Sequence, residues 1–286
     1  MQQFSSPFLA AAKLTHWLDA FASAGHLQRF PVAVDDLALW VGSEMKWADP
    51  VLEVKGARIS SFEGGLFHSA DRGGWLLLYN ESMRSPGRIR FTKAHELGHY
   101  VLHRSRQSVF ECTQEDMVHW GASARQLESE ADDFASNLLM PLTHFRSATE
   151  GSIIDFDVLG ACADKFGVSL TAAALRWVKS TLESAVLILS RDGFIDWSVS
   201  SDRAFKNGAY FKTRNVVTEL PQNSLTAASL TESTRMAQTV AAKVWFPHAH
   251  ASAELREMNV VCDNYGYTLT VLHLSPGEKV WSADSD

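Results

Sequence analysis

The stretch RIRFTKAHELGHYVLHR, residues 88–104, carries two histidines and a glutamate at spacings that suit metal chemistry. An α-helix turns about 100° per residue, so His95 and His99 share one face about 6 Å apart along the axis, and their imidazoles can converge on one ion. Zinc in catalytic sites takes three protein ligands and keeps a fourth position for water. Glu96 is offset from His95 on that face, which places its carboxylate beside the open position as a general base. The pattern predicts peptide hydrolysis, against the alternative of a capped surface helix with unremarkable histidines.

A third ligand has to come from another part of the chain. His103 continues the four-residue series, but on a straight helix it lies about 12 Å beyond His95 and about 80° around the axis, so we expect a structural role for it. The segment LESEADDFASNLLMP offers Glu128 beside an apolar stripe, with small alanines that let two helices approach closely. Glu130 falls on the opposite side from Glu128 and is interpreted as a solvated surface charge. Asp132, one turn beyond Glu128, is predicted to hold a metal-bound histidine through the second ring nitrogen.

A hydrolase also needs a hydrogen-bond donor for the tetrahedral intermediate. The sequence leaves four candidates open, Tyr79, Tyr100, His119 and His144. A second histidine pair, His248 and His250, has same-face strand spacing, but no neighbouring residue completes a metal site, so we interpret it as surface.

The elements that position the motif follow from apolar periodicity and from proline and glycine. A serine–proline pair at 85–86 predicts the start of a helix that runs to about His103. A polar, irregular segment, 104–123, is expected before a second helix, 124–140, which Pro141 ends. Upstream, two helices and two or three short strands are expected, with GWLLLYN the clearest strand. These elements form a predicted metallopeptidase domain at residues 1–150.

The rest of the chain has a different pattern. Residues 151–182 are predicted to form a helix-turn-helix segment, and 183–286 a C-terminal α+β regulatory or sensor domain. Two hairpin patterns, AVLILS-RDG-FIDWSVS and MNVVC-DNYG-YTLTVLHLS, flank a helical pattern at 229–245. The second helix of this segment, SLTAAALRWVK, would be the recognition helix of a DNA-binding domain. Nearby acidic residues offset its basic ones, so a scaffold or docking role for these helices is favoured over specific DNA contact.

Composition limits the classes of protein to which the chain can belong. The chain has 286 residues, 46% of them hydrophobic and 21% charged, as in ordinary globular proteins with more than one domain. Its formal net charge of −7 supplies no long-range field that attracts nucleic acid. Cys112, Cys162 and Cys262 are far apart and odd in number, which favours reduced thiols. With no apolar run of about 20 residues and no signal-peptide pattern, we expect a cytoplasmic protein that makes no membrane contact.

Two segments of the chain resemble the ImmA/IrrE family of metallopeptidases. The likeness rests on RFTKAHELGHYVLH and ESEADDFASNLLMP and covers residues 35–141, with an appended helix-turn-helix similar to that of longer members. The resemblance implies a zincin-like, gluzincin-type fold with Glu96 as catalytic base and three metal ligands, His95, His99 and Glu128. Asp132 stands where many relatives carry asparagine. By resemblance, the GWLLLYN strand has an edge that pairs with an extended substrate, and an ordinary core strand is the equally weighted alternative.

The resemblance also implies a partner. Many members of the family cleave a helix-turn-helix transcriptional repressor and so relieve silencing in mobile elements or in DNA-damage responses. IrrE-like members join a peptidase, a helix-turn-helix and a GAF-like domain in the order expected here, although GAF-like is an analogy from position and strand content.

The sequence therefore predicts a zinc-dependent endopeptidase that cleaves a specific protein partner, expected to be such a repressor. Two histidines and one carboxylate accept manganese as well as zinc. The alternative is a regulatory DNA- or ligand-binding protein that keeps the metal for structure. A metal position left open for water favours the endopeptidase, whereas a metal fully enclosed by protein ligands favours the structural role.

Overall fold

The chain folds into two compact units that both mix helices with a β-sheet. The computed structural model describes residues 4, 6–112, 122–213, 216–228, 233–262, 265–275 and 280. The first unit comprises residues 1–147 and 163–169, and the second comprises 148–162 and 170–286. The helices and two sheets confirm the predicted α+β class. The domain boundaries after residues 150 and 182 stay predictions.

The helices of the N-terminal half begin where the sequence supplies caps and prolines. Both α1 (Pro7–Ser23) and α3 (Pro86–His103) start at a proline, whose fixed φ suits the first helical turn. At α3 the Ser85 hydroxyl accepts a hydrogen bond from the Arg88 backbone N–H at 3.3 Å and caps the helix. The remaining helices are α2 (Val34–Glu44), α4 (Ala122–Leu139) and α5 (Leu142–Thr149).

The sheet of the first unit corrects two expectations. It contains β1 (Val51–Ala57), β2 (Gly64–Ser69), β3 (Gly74–Asn80) and β4 (Val109–Cys112) in the order β1-β3-β2-β4. The GWLLLYN strand is β3, which pairs in parallel with β1 and antiparallel with β2, so the expectation that its edge binds substrate is wrong. The segment expected to be irregular contains β4, which pairs with β2 and forms an edge of the sheet as described. Residues 113–121 of that segment lie outside the described part.

Helices α3 and α4 pack closely, and small residues make this possible. A Cβ added at Gly98 of α3 would lie 3.2 Å from the Ala131 Cα and 3.0 Å from a ring carbon of Phe134. Ala131, Phe134 and Ala135 of α4 are fully buried, as the predicted stripe requires. The two helices that carry the motif residues are thus held at short range.

An ion-pair network joins α1 to α5 and makes the stability of the fold depend on pH. Asp19 binds the Arg29 guanidinium and lies 3.0 Å from His144 Nε2. Burial opposes ionisation of Asp19, but hydrogen bonds with Arg29 and His144 outweigh it and hold its pKa below the usual value. A depressed folded pKa contributes stability at neutral pH that is lost as the pH falls below about 4.

We therefore expect Asp19→Asn to lower the free energy of unfolding by about 0.5–1 kcal/mol at pH 7, the range for partly exposed pairs, and by much less at pH 3. Urea unfolding at both pH values measures this, with exposed Asp71→Asn as the control. An equal loss for Asp19→Asn at both pH values would contradict the assignment.

The second unit is built on an antiparallel sheet. Its strands are β5 (Ser184–Arg191), β6 (Phe194–Ser200), β7 (Gln238–Ala241), β8 (Glu254–Cys262) and β9 (Tyr267–Leu274), in the order β6-β5-β9-β8-β7. Both predicted hairpins, β5–β6 and β8–β9, are confirmed. The helical expectation for 229–245 is wrong at β7, which pairs with β8 and is followed by a short 3-10 helix, Ala242–Val244. Residues 229–232 of that range are outside the described part.

Helices of the second half include the predicted helix-turn-helix. It consists of α6 (Phe156–Phe166) and α7 (Leu170–Ser180), joined at Gly167 with a φ of +63°. Two short helices, α8 (Asp202–Lys206) and α9 (Leu225–Ala228), follow. Among the described helices no single one is long and apolar enough to cross a bilayer, and only the bent α6–α7 pair passes that test jointly.

Candidate metal centre

Three predicted ligands meet between α3 and α4. His95 Nε2 lies 3.0 Å from His99 Nε2, and also 3.0 Å from Glu128 Oε2. His99 Nε2 lies 3.3 Å from Glu128 Oε1. The two histidines are one turn apart on α3, and the carboxylate reaches them from the facing side of α4. The structure therefore brings Glu128 to two histidines that precede it by 29 and 33 positions in the sequence.

The two imidazole nitrogens and the Glu128 carboxylate, whose two oxygens each face one histidine, lie close enough together to share one ion. Zinc with bonds of about 2.0–2.1 Å sets its ligand atoms about 3.3–3.4 Å apart, close to the separations of 3.0–3.3 Å in the trio. Within the described residues this is the one group of three or more His, Cys, Asp or Glu side chains that could share an ion, and it has three members. A tetrahedral ion held by them keeps its fourth position for a non-protein ligand.

Electrostatics in the trio also suit a cation. Burial favours neutral His95, but hydrogen bonds with Asp132 and Glu128 outweigh it and raise the pKa of His95 to about 10. Burial is the main reason that the pKa of His99 falls to about 4. Burial opposes ionisation of Glu128, yet hydrogen bonds with both histidines lower its pKa to about 2. A neutral His99 imidazole and an ionised Glu128 carboxylate are the forms in which these side chains bind a cation.

Glu96 is completely buried beside the trio, and a glycine makes room for it. The carboxylate lies close enough to His95 to raise the pKa of that ring. A Cβ added at Gly64 of β2 would lie 2.8 Å from Glu96 Oε1 and 2.4 Å from a methyl carbon of Thr92. The absence of a side chain at Gly64 therefore leaves the room that the Glu96 carboxylate occupies.

If the site holds a metal and hydrolyses peptides, we expect Gly64→Ala to keep the metal but to lower the rate of peptide cleavage by about 10- to 100-fold. The added methyl group would displace the Glu96 carboxylate, and a shift of about 1 Å in a catalytic group lowers the rate by this order. The measurement is zinc content by elemental mass spectrometry, combined with the rate of product formation. Ser69→Ala, at the other end of β2, is the control. Unchanged cleavage in Gly64→Ala would show that Glu96 does not depend on this contact.

Two carboxylates support the histidines from behind. Asp132 Oδ1 lies 2.9 Å from His95 Nδ1, where the sequence places a carboxylate that orients the ring. His103 is fully buried, with Nδ1 3.1 Å from His99 Nδ1 and Nε2 2.9 Å from Glu130 Oε2. The interpretation of Glu130 as a solvated surface charge is therefore wrong.

The error at Glu130 has a geometric reason. The sequence prediction placed Glu130 relative to Glu128, but the packed stripe of α4 is centred near Ala131. Glu130 is one residue, or about 100°, from Ala131, so it flanks the stripe on the side away from Glu128 and its long side chain reaches α3. The angle from Ala131, rather than the angle from Glu128, therefore predicts that Glu130 contacts α3.

Sequence reasoning also missed Phe110 of β4. Its ring stacks on His99, with centroids 4.5 Å apart and planes at 25°, and lies 6.2 Å from the ring of His103. No local motif marks this residue, because its position depends on the pairing of β4 with β2.

The four donor candidates for the tetrahedral intermediate have different surroundings. The buried Tyr100 hydroxyl donates to the Asp49 carbonyl at 3.0 Å, and burial raises its pKa. His144 is held by Asp19, and the Tyr79 ring lies under the Lys93 ammonium at 4.1 Å. His119 lies outside the described residues. Tyr100 and His144 are thus engaged in structural hydrogen bonds.

Comparison with known families supports this picture of the site. Residues 54–178 match the model of the Peptidase_M78 family, described as the IrrE N-terminal-like domain. This segment is an M78 domain. The match confirms the resemblance seen in the sequence and supports a metallopeptidase-type role related to transcription regulators. All three side chains of the trio lie inside the M78 segment.

Solved structures extend the similarity beyond the M78 segment. A Mycobacterium tuberculosis transcriptional regulator is similar with a TM-score of 0.54 and 13% sequence identity, over 96% of this chain and 77% of that one. At this identity the likeness shows the fold alone. No sequence among curated proteins matched the chain.

Proposed function

We propose that this chain is a zinc-dependent endopeptidase that cleaves a specific protein partner, with His95, His99 and Glu128 as metal ligands. The observation that carries the proposal is the convergence of two imidazoles and one carboxylate close enough to share an ion, next to a buried carboxylate that is not one of them. A purely structural zinc site usually has four protein ligands, whereas the trio here has three among the described residues.

Each side chain has a separate task in this proposal. A divalent cation in the trio would polarise the scissile carbonyl and lower the pKa of a water from about 15.7 to near 7. Glu96 accepts the proton of that water and delivers it to the leaving amine. Asp132 accepts a hydrogen bond from His95 Nδ1–H and so keeps the Nε2 lone pair directed at the cation. The donor set suits zinc, and manganese is also compatible with two imidazoles and one carboxylate.

An extended substrate segment is proposed to lie along β4. This strand is an edge of the described sheet, and its Phe110 stacks on the ligand His99. Backbone N–H and C=O groups on a sheet edge can pair with an added strand and supply affinity that depends little on sequence. Following the M78 relationship, we propose a helix-turn-helix transcriptional repressor as the partner.

The regulatory alternative rests on the helix-turn-helix and on the printed name of the similar structure, a transcriptional regulator. Within the second unit, however, α7 is engaged with the sheet. Its Thr171 hydroxyl lies 3.0 Å from the Tyr267 hydroxyl, and Trp177 packs edge-on against His273. With Thr171 engaged in this way, these contacts fit the docking role expected for these helices better than specific DNA contact.

Quantitative mass spectrometry of new protein N-termini tests the proposed function. Cells that produce the wild-type chain are compared with cells that produce Glu96→Gln. New termini in a small set of proteins, absent with the variant, would support an endopeptidase of narrow specificity. Identical sets of termini would contradict it.

A further inference from the structure

A buried hydrogen-bonded chain leads from the metal trio to the far flank of α4. His99 Nδ1 lies 3.1 Å from His103 Nδ1, and His103 Nε2 lies 2.9 Å from Glu130 Oε2. Glu130 Oε1 accepts a further hydrogen bond from Gln126 at 2.7 Å. Both histidine side chains are fully buried, while the Glu130 side chain is 26% exposed. The chain thus runs from the interior to the surface.

Proton counting allows one arrangement of this chain when His99 holds a cation. A neutral imidazole that binds metal through Nε2 carries its proton on Nδ1, so His99 Nδ1–H donates to His103 Nδ1. His103 then carries its own proton on Nε2, and this N–H donates to Glu130 Oε2. Every donor in the chain meets an acceptor, and the carboxylate is the final acceptor.

The two histidine ligands are therefore supported in two ways. His95 meets the Asp132 carboxylate directly, whereas His99 reaches the Glu130 carboxylate through His103. His99 is supported indirectly because His103 lies one turn further along α3, and the His103 ring lies between the His99 ring and Glu130 of α4. Phe110 stacks on His99 and restricts the plane of its ring as well.

We propose that His103 and Glu130 are positioning residues for the metal centre, which hold His99 in the Nδ1–H tautomer and raise its strength as a ligand. This inference rests on the proposed metal site and assigns a task to two residues outside the ligand set. Hydrogen-bonding partners behind a metal-bound histidine contribute about 10- to 100-fold to metal affinity.

The test is the zinc affinity of the full-length protein, measured by competition with a chromophoric chelator and independent of any substrate. We expect His103→Phe, which keeps the ring volume but removes the acceptor, and Glu130→Ala to weaken zinc binding by about 10- to 100-fold. His103→Gln offers one acceptor and one donor, so we expect it to restore binding to within about threefold of wild type. Exposed Ser129→Ala on the same helix is the control, with wild-type affinity expected.

One further measurement and one choice of variant separate an effect on ligand position from an effect on folding. The visible spectrum of bound Co²⁺ should change in His103→Phe and return in His103→Gln, because it reports ligand geometry. If His103→Phe does not fold, Glu130→Ala decides, since this side chain is only partly buried. Wild-type affinity in Glu130→Ala, or equal weakening by His103→Gln and a folded His103→Phe, would overturn the inference. A wild-type protein that does not bind zinc would instead overturn the proposed function.

Discussion

Glu96→Gln is expected to keep its zinc and to lose cleavage by about 10²- to 10⁴-fold, the usual contribution of a general base. The amide has the size of the carboxylate but cannot accept a proton from water. Because Glu96 is fully buried and is not part of the trio, the substitution should leave the three ligand atoms in place. Zinc content by elemental mass spectrometry and the appearance of new N-termini measure the two effects separately.

A matched control for this prediction is Glu81→Gln, the same chemical change at an exposed residue of the first unit. It should retain both zinc and cleavage. Cleavage by Glu96→Gln at the rate of the control would show that another group takes the proton. Loss of zinc from Glu96→Gln would show that Glu96 belongs to the ligand set.

Glu128→Ala is expected to weaken zinc binding by more than about 100-fold, because loss of a ligand should exceed the effect of losing a partner behind one. The variant removes the one negatively charged group of the trio and leaves two imidazoles as ligands. Zinc at 100 times its dissociation constant stabilises a folded protein by about 2.7 kcal/mol. We therefore expect zinc to raise the unfolding temperature of wild type but not that of Glu128→Ala.

Comparison along α4 makes this prediction specific. Zinc affinity should decrease in the order Ser129→Ala, Glu130→Ala, Glu128→Ala, with the first equal to wild type. These three positions are consecutive, so they share a local helix environment but face different directions. Equal losses for Glu128→Ala and Glu130→Ala would contradict the choice of Glu128 as ligand.

Local signals in the sequence predicted the parts of the fold that depend on nearby residues. The start of α3 follows from Ser85 and the adjacent proline, and the two hairpins of the second unit follow from their turn residues. The meeting of His95 with His99 follows from helical geometry alone. Glu128 was predicted because small residues on α4 indicated a close helix contact.

The errors arose where distant pairing decides structure. β4 is a four-residue strand in a polar segment, and it exists through its pairing with β2. β7 lies in an alanine-rich stretch with helical periodicity, yet β8 pairs with it. β3 is an interior strand because β1 pairs with it, and no local sequence pattern predicts that pairing.

A proline gave a further partial prediction. Pro141 was expected to end α4, and α4 does end at Leu139. The same residue precedes α5, which begins at Leu142 and was not predicted. Proline ends one helix and is also compatible with the start of another. Only the first of these two effects at Pro141 entered the prediction from the sequence.

A crystal structure of the zinc-loaded protein, with anomalous diffraction measured on both sides of the zinc absorption edge, tests the proposed metal centre most directly. We expect one zinc peak at about 2.0–2.2 Å from His95 Nε2, His99 Nε2 and a Glu128 carboxylate oxygen, with a water in the fourth position. A zinc peak at other residues, or a fourth protein ligand in place of that water, would contradict the proposed metal centre.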